Sequence, residues 1–217
     1  MRHCTYRKCL RRYTYRYVVP GASSCAELIY RLLLEMKIPV TTQIANLLYV
    51  GLITDTQCFR TYSTNQASLE TAVELAKCGA DIVRIARRYT LEKTPERIAI
   101  EQILLNSFHY TCEGRVLGCM FTYEDMQKTG ADDSELEGLN LIVDQVRGPE
   151  IGIVVRETRP GHCRISVRTY TEGLSAAEIC SRFDGGGHSD RAGCEIQATP
   201  EQALKQVETV SATFLDD

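Results

Sequence analysis

The residues with the densest chemical signal lie near the C-terminal end, in Phe183-Asp184-Gly185-Gly186-Gly187-His188 and the following Ser189-Asp190-Arg191-Ala192-Gly193-Cys194. Three successive glycines carry no Cβ, so the backbone can take positive φ and a ligand can come close to the amides, a geometry that suits phosphate. Glycine runs also make plain flexible turns, and the run alone does not separate the two readings. Upstream, Cys163-Arg164-Ile165-Ser166-Val167-Arg168 alternates in character. That period puts Ile165 and Val167 on one strand face and Arg164, Ser166 and Arg168 on the other. Guanidinium donors on a strand face beside a glycine loop, with His188 at its edge, form an anion-binding set.

A second chemical position is Asp55, in Gly51-Leu52-Ile53-Thr54-Asp55-Thr56-Gln57-Cys58-Phe59-Arg60. A carboxylate just after a buried apolar helix is costly unless it is paired or holds a cation such as manganese or magnesium. An Asp between two threonines is equally a capping or turn residue.

The elements that must place these groups follow from periodicity. Ser24 and Glu27 have capping-box spacing, and Cys25, Leu28, Ile29, Leu32, Leu33 and Met36 recur as on a helix over 24–36. Pro39 ends it, Thr41 or Thr42 caps a second helix whose apolar face runs toward Gly51, and further helices reach to about Ser107. From Phe108 the pattern turns to short alternating runs. A hairpin is predicted across Glu113-Gly114 and another across Arg159-Pro160-Gly161-His162. Between them, Asp132, Asp133, Glu135 and Glu137 predict the start of a helix through Val146. Ser175 and Glu178 cap a helix into the glycine loop, and Thr199-Pro200 opens a closing helix. The boundary between the two parts is expected within 90–110.

Composition limits the function classes. The chain has 217 residues, 44% of them hydrophobic, which is enough for one large or two small cores. No apolar run is long enough to span a membrane and none near the start resembles a signal core, so a cytoplasmic protein is expected. Ten cysteines occur without a Cys-x-x-Cys pair, which favours free thiols over a zinc site or disulfide frame. A net charge of −3 argues against a protein held on nucleic acid by bulk charge and for local grip on a short substrate. Residues 1–20 are the exception, with arginines and tyrosines interleaved and no acidic residue; they read as a single-strand-binding tract or a solvated tail.

The Ser166-x-Arg168 strand, the helix after it, Gly185-Gly186-Gly187-His188 and Ala192-Gly193 together resemble the C-terminal nucleic-acid-binding domain of the DHH-family phosphoesterases. The segment Gly51 to Arg60 resembles the same family's later metal motif. The resemblance is closest to its bacterial oligoribonuclease and 3′-phosphoadenosine-5′-phosphate phosphatase group and runs from about Tyr17 to the C-terminus. It implies an α/β fold: the mostly helical end of a DHH-type domain and its helical linker over 1–105, then a smaller nucleic-acid-binding domain with a mixed sheet over 106–217. It also implies that Asp55 is catalytic as a Mn²⁺ or Mg²⁺ ligand. Ser166, Arg168, Gly185, Gly186, Gly187 and His188 become the residues that bind short single-stranded RNA or DNA, or a nucleotide bisphosphate. Asp184 stands where the family has a fourth glycine and Arg191 where it has alanine.

The family's Asp-rich half, ending in Asp-His-His, has no counterpart ahead of Pro20-Gly21-Ala22-Ser23-Ser24. His3 falls near the second histidine of that motif, but its neighbours Met1 and Arg2 are neither Asp nor His. The expectation is therefore a chain truncated at its N-terminus and lacking most catalytic metal ligands. A hydrolase, a non-catalytic binding module and an inactive fragment are the competing functions, and apolar surface left on residues 24–60 predicts a homodimer or aggregation.

Overall fold

The computed structural model describes residues 17–61 and 63–215. His3 and the basic tract up to residue 16 lie outside the described residues. The chain divides into two compact units, Met1–Glu92 and Lys93–Asp217.

The first unit is helical: α1 (Cys25–Glu35), α2 (Thr42–Asp55), α3 (Gln66–Lys77) and α4 (Ile82–Thr90). Side-chain caps set their starts, with Ser24 accepting from the Glu27 amide, Thr41 from Ile44 and Asn65 from Ser68. Leu48, Tyr49, Leu52 and Ile53 of α2 pack with Ala26, Tyr30 and Leu75 to make the core. Glu27 is fully buried, yet it is satisfied: its carboxylate accepts from the Ser23 amide at 3.1 Å and hydroxyl at 2.8 Å, and it pairs with Arg31. The Pro20-to-Ser24 segment is thereby tied to α1.

Gly51 does not stop α2, which continues to Asp55. Its missing side chain serves close helix packing instead, because a Cβ there would lie 3.0 Å from the Ala26 Cβ on α1.

The second unit is a six-stranded mixed sheet in the order β1-β2-β3-β4-β6-β5. Its strands are β1 (His109–Thr111), β2 (Val116–Phe121), β3 (Ile151–Arg159), β4 (His162–Thr169), β5 (Gly186–Gly187) and β6 (Arg191–Ile196). Only β2 and β3 run parallel; every other neighbouring pair is antiparallel. The sheet and its helices bear out the α/β class and the mixed sheet expected from the sequence.

One face packs Val116, Ile153, Val155, Ile165 and Val167 against α7 (Ala176–Ser181) and α8 (Pro200–Ala212). On the other face, Leu117, Cys119, Phe121 and Val154 pack against α5 (Pro95–Asn106) and a 3₁₀ segment, Leu139–Gln145. α6 (Tyr123–Thr129) follows β2. Because Ile100 and Leu104 of α5 are fully buried in this second core, α5 falls with the sheet unit.

The helix expected over 132–146 is absent. Asp132 instead turns the chain by accepting from the Ser134 amide and hydroxyl, at 2.8 and 2.6 Å, and Gly138 takes φ 73. Those local bonds compete with helix formation and leave only the short 3₁₀ segment. Among the described residues all eight cysteines are free, and no helix is long and apolar enough to cross a membrane.

Candidate functional site

Opposed residues on an antiparallel ladder share a face, so the register of β3, β4, β6 and β5 lays out the site. Gly152, Arg168 and Arg191 form one row, Val154, Ser166, Gly193 and Gly186 the next, and Arg156, Arg164 and Glu195 the third. Beyond buried Val154, the middle row has almost no side-chain bulk. Flanking rows of arginines therefore border a shallow floor of glycine and serine.

The three glycines of the loop play different parts. The Gly185 amide donates to the Cys180 carbonyl at 2.9 Å, and the His188 amide to the Arg191 carbonyl at 2.7 Å. Gly186 and Gly187 are extended as strand β5. Three consecutive free amides, as in an anion nest, are not formed. A Cβ at Gly185 would meet Cys194 and Gly193, and one at Gly187 would meet Ala192 and Arg191, so both are glycine for close strand contact. At Gly186 nothing lies within 4 Å. It is the one member of the run whose bareness faces open space.

Arg168 is the anchor of this face. Its side chain is only 13% exposed, with Nε 3.9 Å from the Asp144 carboxylate and no hydrogen-bond partner for that nitrogen. Asp144 is in turn held by the Tyr170 hydroxyl, which donates at 2.8 Å. Burial, with Asp144 beside it, pushes the Tyr170 phenol well above its ordinary range, so it stays a neutral donor. Gly152 permits this arrangement, since a Cβ there would collide with the Tyr170 hydroxyl and Val143. Ser166, Arg168, Gly186 and His188 are thus brought to one end of the sheet, with Arg191 added opposite Arg168.

The sequence pattern did not single out Arg156. It stands directly opposite Arg164 only because the register shifts by one residue between Glu157 and Arg159; counting back from the turn at Pro160-Gly161 alone would set Arg156 against Ile165. Both border a cavity of about 500 Å³ that Ser166 also lines. Burial, and then the neighbouring Arg164, loosen the Arg156 guanidinium's hold on its proton.

Asp55 belongs to the other unit, as the exposed last residue of α2. Next to it, buried Thr56 donates its hydroxyl to the Leu52 carbonyl at 2.7 Å and accepts from the Phe59 amide at 3.1 Å. Gln57, Cys58 and Phe59 then take φ of 48°, 57° and 63°, three successive left-handed non-glycine residues. Such a run is strained, and strain of this kind gathers where a turn presents a functional group. Among the described residues no group of three or more His, Cys, Asp or Glu is placed to hold a metal ion. Asp55 alone does not make a two-metal ligand set.

No family model matches the chain. It is 26% identical over 199 residues to the bifunctional oligoribonuclease and PAP phosphatase NrnA of Thermus thermophilus, covering 90% of this chain and 59% of that protein. It is 24% identical over 185 residues to the probable equivalent of Streptococcus mutans, covering 85% and 58%. The chain is related to the DHH-family phosphoesterases. A solved exopolyphosphatase-related protein from Bacteroides fragilis has the same fold, with TM-score 0.80 at 23% identity over 93% of this chain and 62% of that one. The chain thus spans just under three fifths of the DHH-family relatives it matches. Its two departures from the DHH pattern have plain physical readings. Asp184 takes φ 55, a conformation that glycine adopts freely and Asp tolerates. Arg191 is half exposed on the row of Arg168 and pairs with Asp190 at 3.2 Å.

Proposed function

We propose that residues 106–217 are a substrate-binding domain that takes a phosphate of a short single-stranded RNA or DNA, or of a nucleotide bisphosphate, on the β4–β6–β5 face. Residues 1–105 would be the closing part of a DHH-type phosphoesterase domain with its helical linker, in a cytoplasmic setting. The observation that carries the reading is the Arg168 guanidinium, largely buried with its Nε unbonded. Buried donors are ordinarily satisfied, and a forked, permanently charged one fits phosphate oxygens. Ser166 and the bare Gly186 leave room beside it, and His188 supplies a donor for phosphate, sugar or base.

Charge-assisted hydrogen bonds contribute about 1.5–3 kcal/mol, so Arg168→Ala should weaken a labelled trinucleotide by roughly tenfold or more. Gly186→Val puts bulk on the same face without touching the protein and should also weaken it. Equal binding by wild type and both variants, or none by a folded wild type, would sink the proposal.

The relatives' names, oligoribonuclease and PAP phosphatase, favour a second reading in which the chain takes part in phosphoester hydrolysis; we propose for it Mn²⁺ or Mg²⁺ with Asp55 as one ligand. A two-metal site takes several carboxylates and histidines, of which Asp55 supplies one. Little hydrolysis of short RNA or nucleotide bisphosphate is therefore expected from this chain alone. A robust metal-dependent rate that Asp55→Ala abolishes would establish the hydrolase instead.

A further inference from the structure

We infer that the cavity bordered by Arg156 and Arg164 is a second subsite, one that takes a further nucleoside phosphate of the same bound strand. The inference rests on the reading of Arg168 as a phosphate anchor.

Arg156 and Arg164 are direct partners across β3 and β4. Opposed side chains on a ladder have Cβ atoms about 5 Å apart, and like charges so placed repel. Neither guanidinium makes a hydrogen bond or an ion pair with a described residue. An anion between them would relieve the repulsion, and the downward shift at partly buried Arg156, set by burial and then by exposed Arg164 and only in part offset by Asp133, agrees with a crowded cation.

The cavity, about 500 Å³, is larger than a phosphate requires and falls in the range of small-molecule sites. Its lining divides by chemistry. Buried Leu136, Leu139 and Val154 give apolar surface, while the Asn140 amide and the Asp133 and Glu137 carboxylates lie on the polar side. Those carboxylates disfavour a free anion. They suit a nucleobase, whose exocyclic amino group donates to them while the guanidinium planes take its phosphate or stack on its ring. A nucleoside phosphate uses both halves of the cavity; inorganic phosphate uses one.

Ser166 lies between Arg164 and Arg168 on the same face of β4. The two arginines are four residues apart, a separation of roughly 13 Å along an extended strand. That is longer than one internucleotide linkage, so a single strand lying along β4 places phosphates two linkages apart at the two arginines, with Ser166 under the nucleotide between. The cavity and the Arg168 anchor become two positions on one track.

The test uses the full chain with two labelled probes, a 5′-phosphorylated adenylate trinucleotide and inorganic phosphate, which the cavity carboxylates disfavour and which reports on the Arg168 anchor. Arg156→Gln and Arg164→Gln should each weaken the trinucleotide roughly tenfold, leave inorganic phosphate unchanged, and lower the slope of log affinity against log salt by about one for the trinucleotide. Arg168→Ala should weaken both probes. Asn140→Ala should narrow the preference between adenylate and uridylate trinucleotides without changing the salt slope. Thermal unfolding of each variant shows that the fold is kept. If the two Gln variants bind the trinucleotide normally while Arg168→Ala does not, the second subsite is wrong and the anchor stands. The same conclusion follows if folded Gln variants lose both probes equally, since the cavity is then no separate position. If Arg168→Ala leaves both probes unaffected, the anchor reading fails instead.

Discussion

A methyl group added at Gly185 would sit 2.5 Å from the Cys194 Cβ and the Gly193 carbonyl oxygen, whereas one added at Gly186 would meet nothing within 4 Å. Gly185→Ala should therefore destabilise the second unit by about 1–3 kcal/mol in denaturant titration, the usual cost of overpacking, and Gly186→Ala by far less. Equal costs at the two positions would contradict this division of roles. Composition marked the run as special but treated its members alike; the difference arises from which backbone lies across the ladder, and that depends on residues in β6. Glu27 was equally illegible, read only as half of a capping box. Its burial predicts that Glu27→Ala, which leaves the buried Ser23 amide and hydroxyl without their acceptor, costs about 1–3 kcal/mol in the unfolding of the first unit.

At the scale of elements, the helix starts were readable because their signals are local: Ser24, Thr41 and Thr199 each accept from an amide within their own first turn. The segment after Ala131 was misread because its acidic residues resemble a helix opening, while the Asp132 turn and Gly138 decide otherwise. Arg97 of α5 holds that turn from outside, donating to the carbonyls of Glu135 and Glu137, and Glu101 accepts from Arg97 and Lys93. Burial raises the Glu101 carboxyl, but the hydrogen bonds from Lys93 and Arg97 outweigh it and hold the group below its ordinary value of 4.5. A depressed carboxylate contributes stability above its unfolded pKa and loses it as pH falls through the folded one. The wild type should accordingly lose more stability than Glu101→Gln on acidification below about pH 4.5. Parallel pH profiles for the two would refute the role given to this cluster.

On the scale of the whole molecule, both cores of the second unit are built from its own residues, between Ile100 and Leu215. A fragment of residues 93–217 should therefore fold cooperatively and bind the trinucleotide as the full chain does. A fragment that is unfolded, or folded but unable to bind, would place part of the site elsewhere. The first unit carries a different liability: Ile29 is 49% exposed, Met36 59% and Leu47 74%. Apolar surface of this kind should make the chain self-associate and bind a hydrophobic dye, and a dye-silent monomer in sedimentation would count against it. Helical periodicity showed that α1 and α2 have apolar faces. It did not show which residues stay uncovered, because that depends on how many neighbours each helix has.

The left-handed turn at Gln57, Cys58 and Phe59 bears on how this protein can change. Each such residue costs about 1–2 kcal/mol relative to a right-handed one, and glycine removes most of that penalty while adding some chain entropy to the unfolded state. Gln57→Gly should thus raise the unfolding midpoint by the equivalent of roughly 1 kcal/mol. A library randomised at these three positions and selected only for heat resistance should fill with glycine. The same library selected for the job Asp55 performs should keep side chains there, if the turn exists to aim that carboxylate. Any difference between the two pools would measure, in codons, the stability spent on holding that turn.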